Sequence, residues 1–217
     1  MKGIQMITAI PFAGFYESVF SAELDNVEEQ NAEYMAEENP KIHAKDYAEI
    51  FYYCMDYGAA FRQIAAEYAV AFNEYIKDEF DLDLDLKFEG LESPKEYNFT
   101  TDRIFCHISD EAILKLHAAV PEEVMAAEVK ARFTSRDGFI SFYNGDYTRW
   151  DKDPTTWDHN ELSTLLEALL HDDSDYTFRI YERLSEDCVF DKAFDSCMDW
   201  VKFEDRKMEF LEEEEVK

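Results

Sequence analysis

Glycine and proline are scarce, at 6 and 5 copies in 217 residues, so long flexible or proline-rich linkers are not expected. The four cysteines, Cys54, Cys106, Cys188 and Cys197, form no Cys-x-x-Cys pair, and Cys188 and Cys197 are nine residues apart with His171 well upstream. That spacing argues against a zinc site and for reduced thiols in a cytoplasm. No run of 18 apolar residues occurs, and the first residues carry no basic-then-apolar signal. A membrane span and a secretory leader are therefore not expected. Cations are few, 21 against 50 carboxylates, so binding to DNA, RNA or an anionic membrane through a basic patch is not expected.

Catalytic signatures are missing too. There is no Gly-x-Ser-x-Gly, Ser-x-x-Lys or His-Glu-x-x-His motif, no phosphate-cradling glycine loop and no dinucleotide fingerprint. His43, His107, His117, His159 and His171 are scattered along the chain. The expectation is a protein that is not an enzyme and holds no cofactor. A calcium loop fails at Asp81-x-Asp83-x-Asp85, because Leu86 stands where the sharp turn needs glycine.

What the chain has is apolar mass and negative charge. Apolar residues make up 47%, including 18 Phe and 13 Tyr, enough for a packed core. The formal net charge is −29. Duplex DNA carries one charge per about 1.7 Å, so this charge equals that of roughly 50 Å of duplex. The acidic residues recur at intervals over candidate helices and strands, where a disordered tail would hold one block. Charges mounted on ordered backbone can hold a fixed pattern.

Residues 78–86 carry the sharpest pattern, Asp78-Glu79-Phe80 followed by Asp81, Asp83 and Asp85 alternating with Leu82, Leu84 and Leu86. Alternation predicts a half-buried strand with leucines inward and a straight row of carboxylates outward. A solvated strand face is the plain explanation. A row imitating nucleic-acid phosphates is the sharper one. The second acidic cluster spans residues 23–38, expected as a loop or short helix, with Glu28, Glu29, Glu33, Glu37 and Glu38 as candidate contacts. Asp172, Asp173 and Asp175 form the third candidate group.

The fold expected is α+β, one acidic domain over residues 1–217, with a mainly antiparallel sheet packed against several helices. Residues 43–78 carry an aromatic stripe of helical period, predicting one long helix with a break near Gly58 or a projecting dimer arm. Strands are expected over 4–10, 82–89, 103–108 and 176–180, and a hairpin over 139–150 around Asn144-Gly145. Helices are expected over 110–119, over 121–133 beginning at Pro121, from a capping box at Asp158-His159-Asn160-Glu161, and over 187–212 with a frayed tail to 217. No internal repeat is apparent.

Ser93-Pro94-Lys95-Glu96-Tyr97-Asn98-Phe99, then Thr101-Asp102-Arg103, form a loop with a proline, two aromatics and small capping residues. With Gly14-Phe15-Tyr16-Glu17-Ser18, these residues resemble uncharacterised proteins of bacteriophages and mobile elements. The resemblance covers about thirty residues and implies such an origin, without transferring an activity or a catalytic residue. In charge and size the chain is similar to DNA-mimic inhibitors of host defence, the anti-restriction and anti-CRISPR proteins, though no motif of theirs is present.

The expected function is therefore a cytoplasmic protein–protein inhibitor that blocks a basic nucleic-acid-binding surface of a host protein. A metal-binding protein or metal-dependent enzyme using the carboxylates is one alternative, and a structural or regulatory phage protein with charge for solubility is the other. A homodimer would suit the long aromatic stripe.

Overall fold

A computed structural model describes residues 1–5, 21–89, 105–133, 150, 152–171 and 175–215. In chain order its elements are β1 (Lys2–Gln5), α1 (Ser21–Glu38), α2 (Ala44–Cys54), α3 (Tyr57–Phe80), β2 (Lys87–Glu89), β3 (Phe105–Ile108), α4 (Asp110–Ala119), α5 (Glu122–Phe133), a 3-10 turn (Pro154–Thr156), α6 (His159–Leu169), α7 (Tyr176–Glu186), α8 (Val189–Cys197) and α9 (Trp200–Glu215). The chain gathers into two compact units. The first takes Met1–Gly14, Ala69–Glu92 and Phe99–Tyr181, and the second takes Phe15–Tyr68, Ser93–Asn98 and Glu182–Lys217.

In the first unit the strands pair antiparallel in the order β1-β3-β2, with Lys2 opposite Ile108 and Lys87 opposite His107. α6 packs on β1 and is flanked by α4 and α5. Cys106, Ile108, Ile113, Leu116, Leu162, Leu165 and Leu166 are each fully enclosed. Local signals set the helix starts. Ser109 Oγ accepts from Ala112 N at 3.1 Å to cap α4. Asp158 Oδ1 accepts from Asn160 N and Glu161 N, and Glu161 Oε2 accepts from Asp158 N at 2.8 Å, closing the expected capping box.

The second unit is helical among its described residues. α1 packs on α2 and on α8, and α9 packs on α2. Its core is aromatic. Phe51 lies edge-on to Phe194 at 5.3 Å and stacks on Phe203 at 5.1 Å, while Tyr47 stacks on Phe203 at 6.2 Å.

Two helical stripes are interrupted in the same way. α2 stops at Cys54, Met55 is extended, and α3 starts after Asp56; α8 stops at Cys197, Met198 is extended, and α9 starts after Asp199. The two interruptions pair with each other. Met55 and Met198 form an antiparallel bridge, Asp56 N donates to Cys197 O at 3.0 Å, and Asp199 N donates to Cys54 O at 2.9 Å. Each aspartate then caps its own following helix: Asp56 Oδ1 accepts from Ala59 N at 2.9 Å and Asp199 Oδ1 from Lys202 N at 3.0 Å. The sequences match, as Phe51-x-x-Cys54-Met55-Asp56-Tyr57 and Phe194-x-x-Cys197-Met198-Asp199-Trp200. The chain thus contains a short internal repeat whose copies clasp each other through reciprocal backbone bonds, contrary to the expectation of none.

Several other expectations are corrected. Among the described residues nine α-helices stand against one small three-stranded sheet, so the architecture is all-α-like; it is not α+β with a mainly antiparallel sheet. Residues 81–86 hold no regular structure, and only Lys87–Glu89 of the expected strand forms. Asp81 and Asp85 adopt left-handed backbone, with φ of 53° and 42°. Aspartate tolerates this region better than most residues because its short polar side chain can bond locally. Leu84 and Leu86 are nevertheless buried, so the alternation reports burial here without a strand. Residues 176–180 are helical, because Ile180 and Leu184 are enclosed one turn apart while Phe178 is 58% exposed. Spacings of two and of four both fit Tyr176 and Ile180, and packing selects four.

The long helix over 43–78 is two helices, broken at Met55-Asp56 just before Gly58. The last helix is likewise two, and Glu212 to Glu215, expected to fray, are helical. The cluster over 23–38 is one 18-residue helix, longer than expected. The expected strand residues 6–10, the loop over 92–104 and the hairpin over 139–149 lie outside the described residues. No described helix is long and apolar enough to cross a membrane.

Candidate functional site

α1 carries carboxylates and no cation anywhere along its length. Asp25, Glu29, Glu33 and Glu37 recur every four residues and all are exposed. Four helical residues rise about 6 Å, so these side chains form one ridge about 18 Å long. Like charges four apart repel by about 0.2–0.5 kcal/mol per pair, which is roughly 1 kcal/mol for the three pairs. Glu37 and Glu38 also sit in the last turn, at the negative pole of the helix dipole, with no basic residue there. The helix holds this charge against its own stability. The four-residue spacing was visible in the sequence, but Asp25 joins the ridge only once the segment is known to be one helix.

Glu28 is not part of that ridge. It is 9% exposed and accepts from Tyr57 Oη at 2.5 Å. Burial raises the Glu28 carboxyl above the ordinary glutamate range; the Tyr57 bond opposes this, and the neighbouring Asp25 charge adds to it. The same burial, with the Glu28 charge, holds the Tyr57 phenol protonated. Because the folded state retains this proton more tightly than the unfolded chain, the neutral carboxyl favours folding at low pH. That contribution is lost as the pH rises through the raised folded-state value. Glu28→Gln keeps an acceptor for Tyr57 and carries no charge. It is therefore expected to melt at a higher temperature than the wild type at pH 7, with the difference shrinking in acid. Equal melting temperatures at pH 7 would show that burial of Glu28 costs nothing.

The candidates in the first unit sit differently. Asp78 and Glu79 are exposed in the last turn of α3, and Asp81, Asp83 and Asp85 are exposed along the irregular segment after it. They do not form a straight strand row. Glu79 is bound to Arg179 at 2.6 Å and Asp85 to Lys87 at 3.3 Å, and Asp83 is close enough to Lys115 to help hold its proton. Glu79 and Asp85, at least, are therefore already matched by the chain's own cations. Asp175 is exposed just before α7, and its carbonyl accepts from Arg179 N at 3.0 Å. Asp172 and Asp173 lie outside the described residues.

The segment is held from below. Asn73 on α3 donates from Nδ2 to Leu86 O and accepts at Oδ1 from Leu86 N, both at 2.8 Å. This side chain mimics a strand partner for one buried residue. Nothing in the sequence marked Asn73, because the pairing joins a helix to an irregular segment.

Among the described residues no three His, Cys, Asp or Glu side chains gather into a group able to hold a metal ion. The carboxylates of α1 spread along a line and do not converge on a point. The chain matches no protein-family model, no curated protein and no solved structure.

Proposed function

We propose that this chain is an acidic interaction protein that occupies a basic, nucleic-acid-binding surface of a host protein, as a DNA-mimic inhibitor would. The observation that supports this most is the α1 ridge of Asp25, Glu29, Glu33 and Glu37, exposed, evenly spaced and without a cation on its helix. Phosphates along one DNA strand rise about 3.4 Å each and step sideways round the axis, so their separation is of the same order as the ridge spacing. Carboxylates fixed on a helix offer a basic groove acceptors without further ordering, and opposite fields speed encounter. The chain has no basic surplus with which to bind nucleic acid itself, and the mechanism is competitive.

The ridge makes an unusual demand that a solubilising charge would not. Neutralising Glu29→Gln, Glu33→Gln and Glu37→Gln together relieves like-charge repulsion, so the variant is expected to be more stable by up to about 1 kcal/mol. It is also expected to bind its target more weakly, with a shallower dependence on salt. The measurement is retention of host proteins on the immobilised chain, eluted with a sodium chloride gradient, for wild type and variant. Retention that ignores salt, or that survives the triple change intact, would sink the proposal.

A further inference from the structure

The internal repeat supplies its own control for which exposed residues the fold needs. The inward positions of the two copies agree: Phe51 with Phe194, Cys54 with Cys197, Met55 with Met198 and Asp56 with Asp199. The outward positions do not. Where the first copy has Tyr52 and Tyr53, the second has Asp195 and Ser196, both exposed. The second copy makes the same helix, the same bridge and the same cap with a polar pair. Aromatic side chains at these positions are therefore not required by the clasp, yet Tyr52 is 64% and Tyr53 50% exposed. The two rings meet edge to face at 5.6 Å, and Tyr52 lies 5.8 Å from Tyr57.

The surroundings indicate what such rings face. Glu49 and Asp56, one turn before them and just after them, are exposed. The Arg206 guanidinium already lies over the Tyr53 ring at 5.4 Å, and Lys202 Nζ donates to the Tyr53 carbonyl. Tyr53 thus already pairs with a guanidinium of its own chain, in the kind of contact a partner's arginine would make. Guanidinium groups stack on aromatic faces while pairing with carboxylates, which a lysine ammonium does less well. Tyrosine offers large, rigid contact area at little entropic cost.

We propose that Tyr52 and Tyr53, with Glu49 and Asp56 beside them, form a docking surface for arginine side chains of a basic protein partner. This rests on the reading of the chain as a mimic directed at a basic groove, and it names the chemistry of the groove: arginines that stack as well as pair. Carboxylates supply the charge, and the tyrosines select arginine over lysine.

The test uses the full chain with octa-arginine and octa-lysine peptides as probes, titrated by calorimetry at low and high salt. The wild type should bind octa-arginine more tightly than octa-lysine. Tyr52→Asp with Tyr53→Ser installs the residues of the second copy, which the same helix–bridge–helix element already accommodates. This variant should lose about tenfold in octa-arginine affinity while octa-lysine affinity holds or rises, despite the added negative charge. Tyr52→Phe with Tyr53→Phe should keep the arginine preference. If the preference survives Tyr52→Asp with Tyr53→Ser while both peptides still bind in a salt-sensitive way, the docking surface is wrong and the carboxylate reading stands. If neither peptide binds at low salt, both fail. A concentration-dependent dimer in sedimentation that Tyr52→Asp with Tyr53→Ser abolishes would assign the surface to a second copy of the chain and overturn the proposal.

Discussion

Phe51→Ala is expected to destabilise the protein by about 3–5 kcal/mol, the range for removing a large aromatic side chain from a closed core. Phe51 is 0% exposed and is the ring through which the two halves of the clasp meet. It touches Phe194 edge-on at 5.3 Å, stacks on Phe203 at 5.1 Å and lies 6.5 Å from Trp200. The neighbouring groups are held by helices bonded backbone to backbone at Met55 and Met198, so they cannot close the cavity cheaply. A domain's whole margin is about 5–15 kcal/mol, so the loss would show as a large fall in the urea midpoint. Phe194→Ala, at the equivalent position of the repeat and 1% exposed, should cost a similar amount. A loss below about 1 kcal/mol for Phe51→Ala would mean that the aromatic clasp is not the centre of its unit.

Asn73→Ala is expected to release the acidic segment of the first unit. Leu86 is 3% exposed, and both its backbone N–H and its carbonyl are bonded to the Asn73 amide. Alanine leaves two enclosed backbone groups without those partners, at about 1–3 kcal/mol each. Better helix propensity at position 73 returns about half a kcal/mol. The net loss is about 1.5–5.5 kcal/mol, and it is local. Hydrogen exchange should report it as at least tenfold faster exchange at the Leu86 amide, with the sheet amides of Phe105–Ile108 changed less. Unchanged protection at Leu86 would show that another partner holds the segment. Because Asp81, Asp83 and Asp85 are carried by this segment, the same variant tests whether their placement matters to binding.

Helix starts governed by residues close by in sequence were readable. The Asp158–Glu161 box, the helix after Ser109 and the helix after Pro121 each rest on bonds within a few residues, so local sequence contains the whole cause. Patterns whose meaning depends on a distant surface were not. The Asp-Leu alternation over 81–86 looks like a strand, but Leu86 is bonded to a helix and the aspartates at both ends take left-handed backbone. The Tyr176–Ile180 spacing fits two periods, and the choice belongs to whatever covers Ile180. Glu28 and Glu29 are adjacent and chemically alike, yet one is enclosed against Tyr57 and the other faces solvent. No scale of residue preference separates them, because a helix turns by about 100° per residue and only the packed face decides.

The bare order of residues determined the charge surplus, the aromatic core and the capped helices, because composition and short-range bonding need no partner beyond a few positions. Tertiary structure alone decided that the two Cys-Met-Asp breaks find each other, that Glu28 leaves the acidic ridge, and that Glu79 and Asp85 are partly neutralised at home. Each of those outcomes depends on contacts between residues far apart in sequence, where burial and bonding distance are set by packing and not by neighbours along the chain.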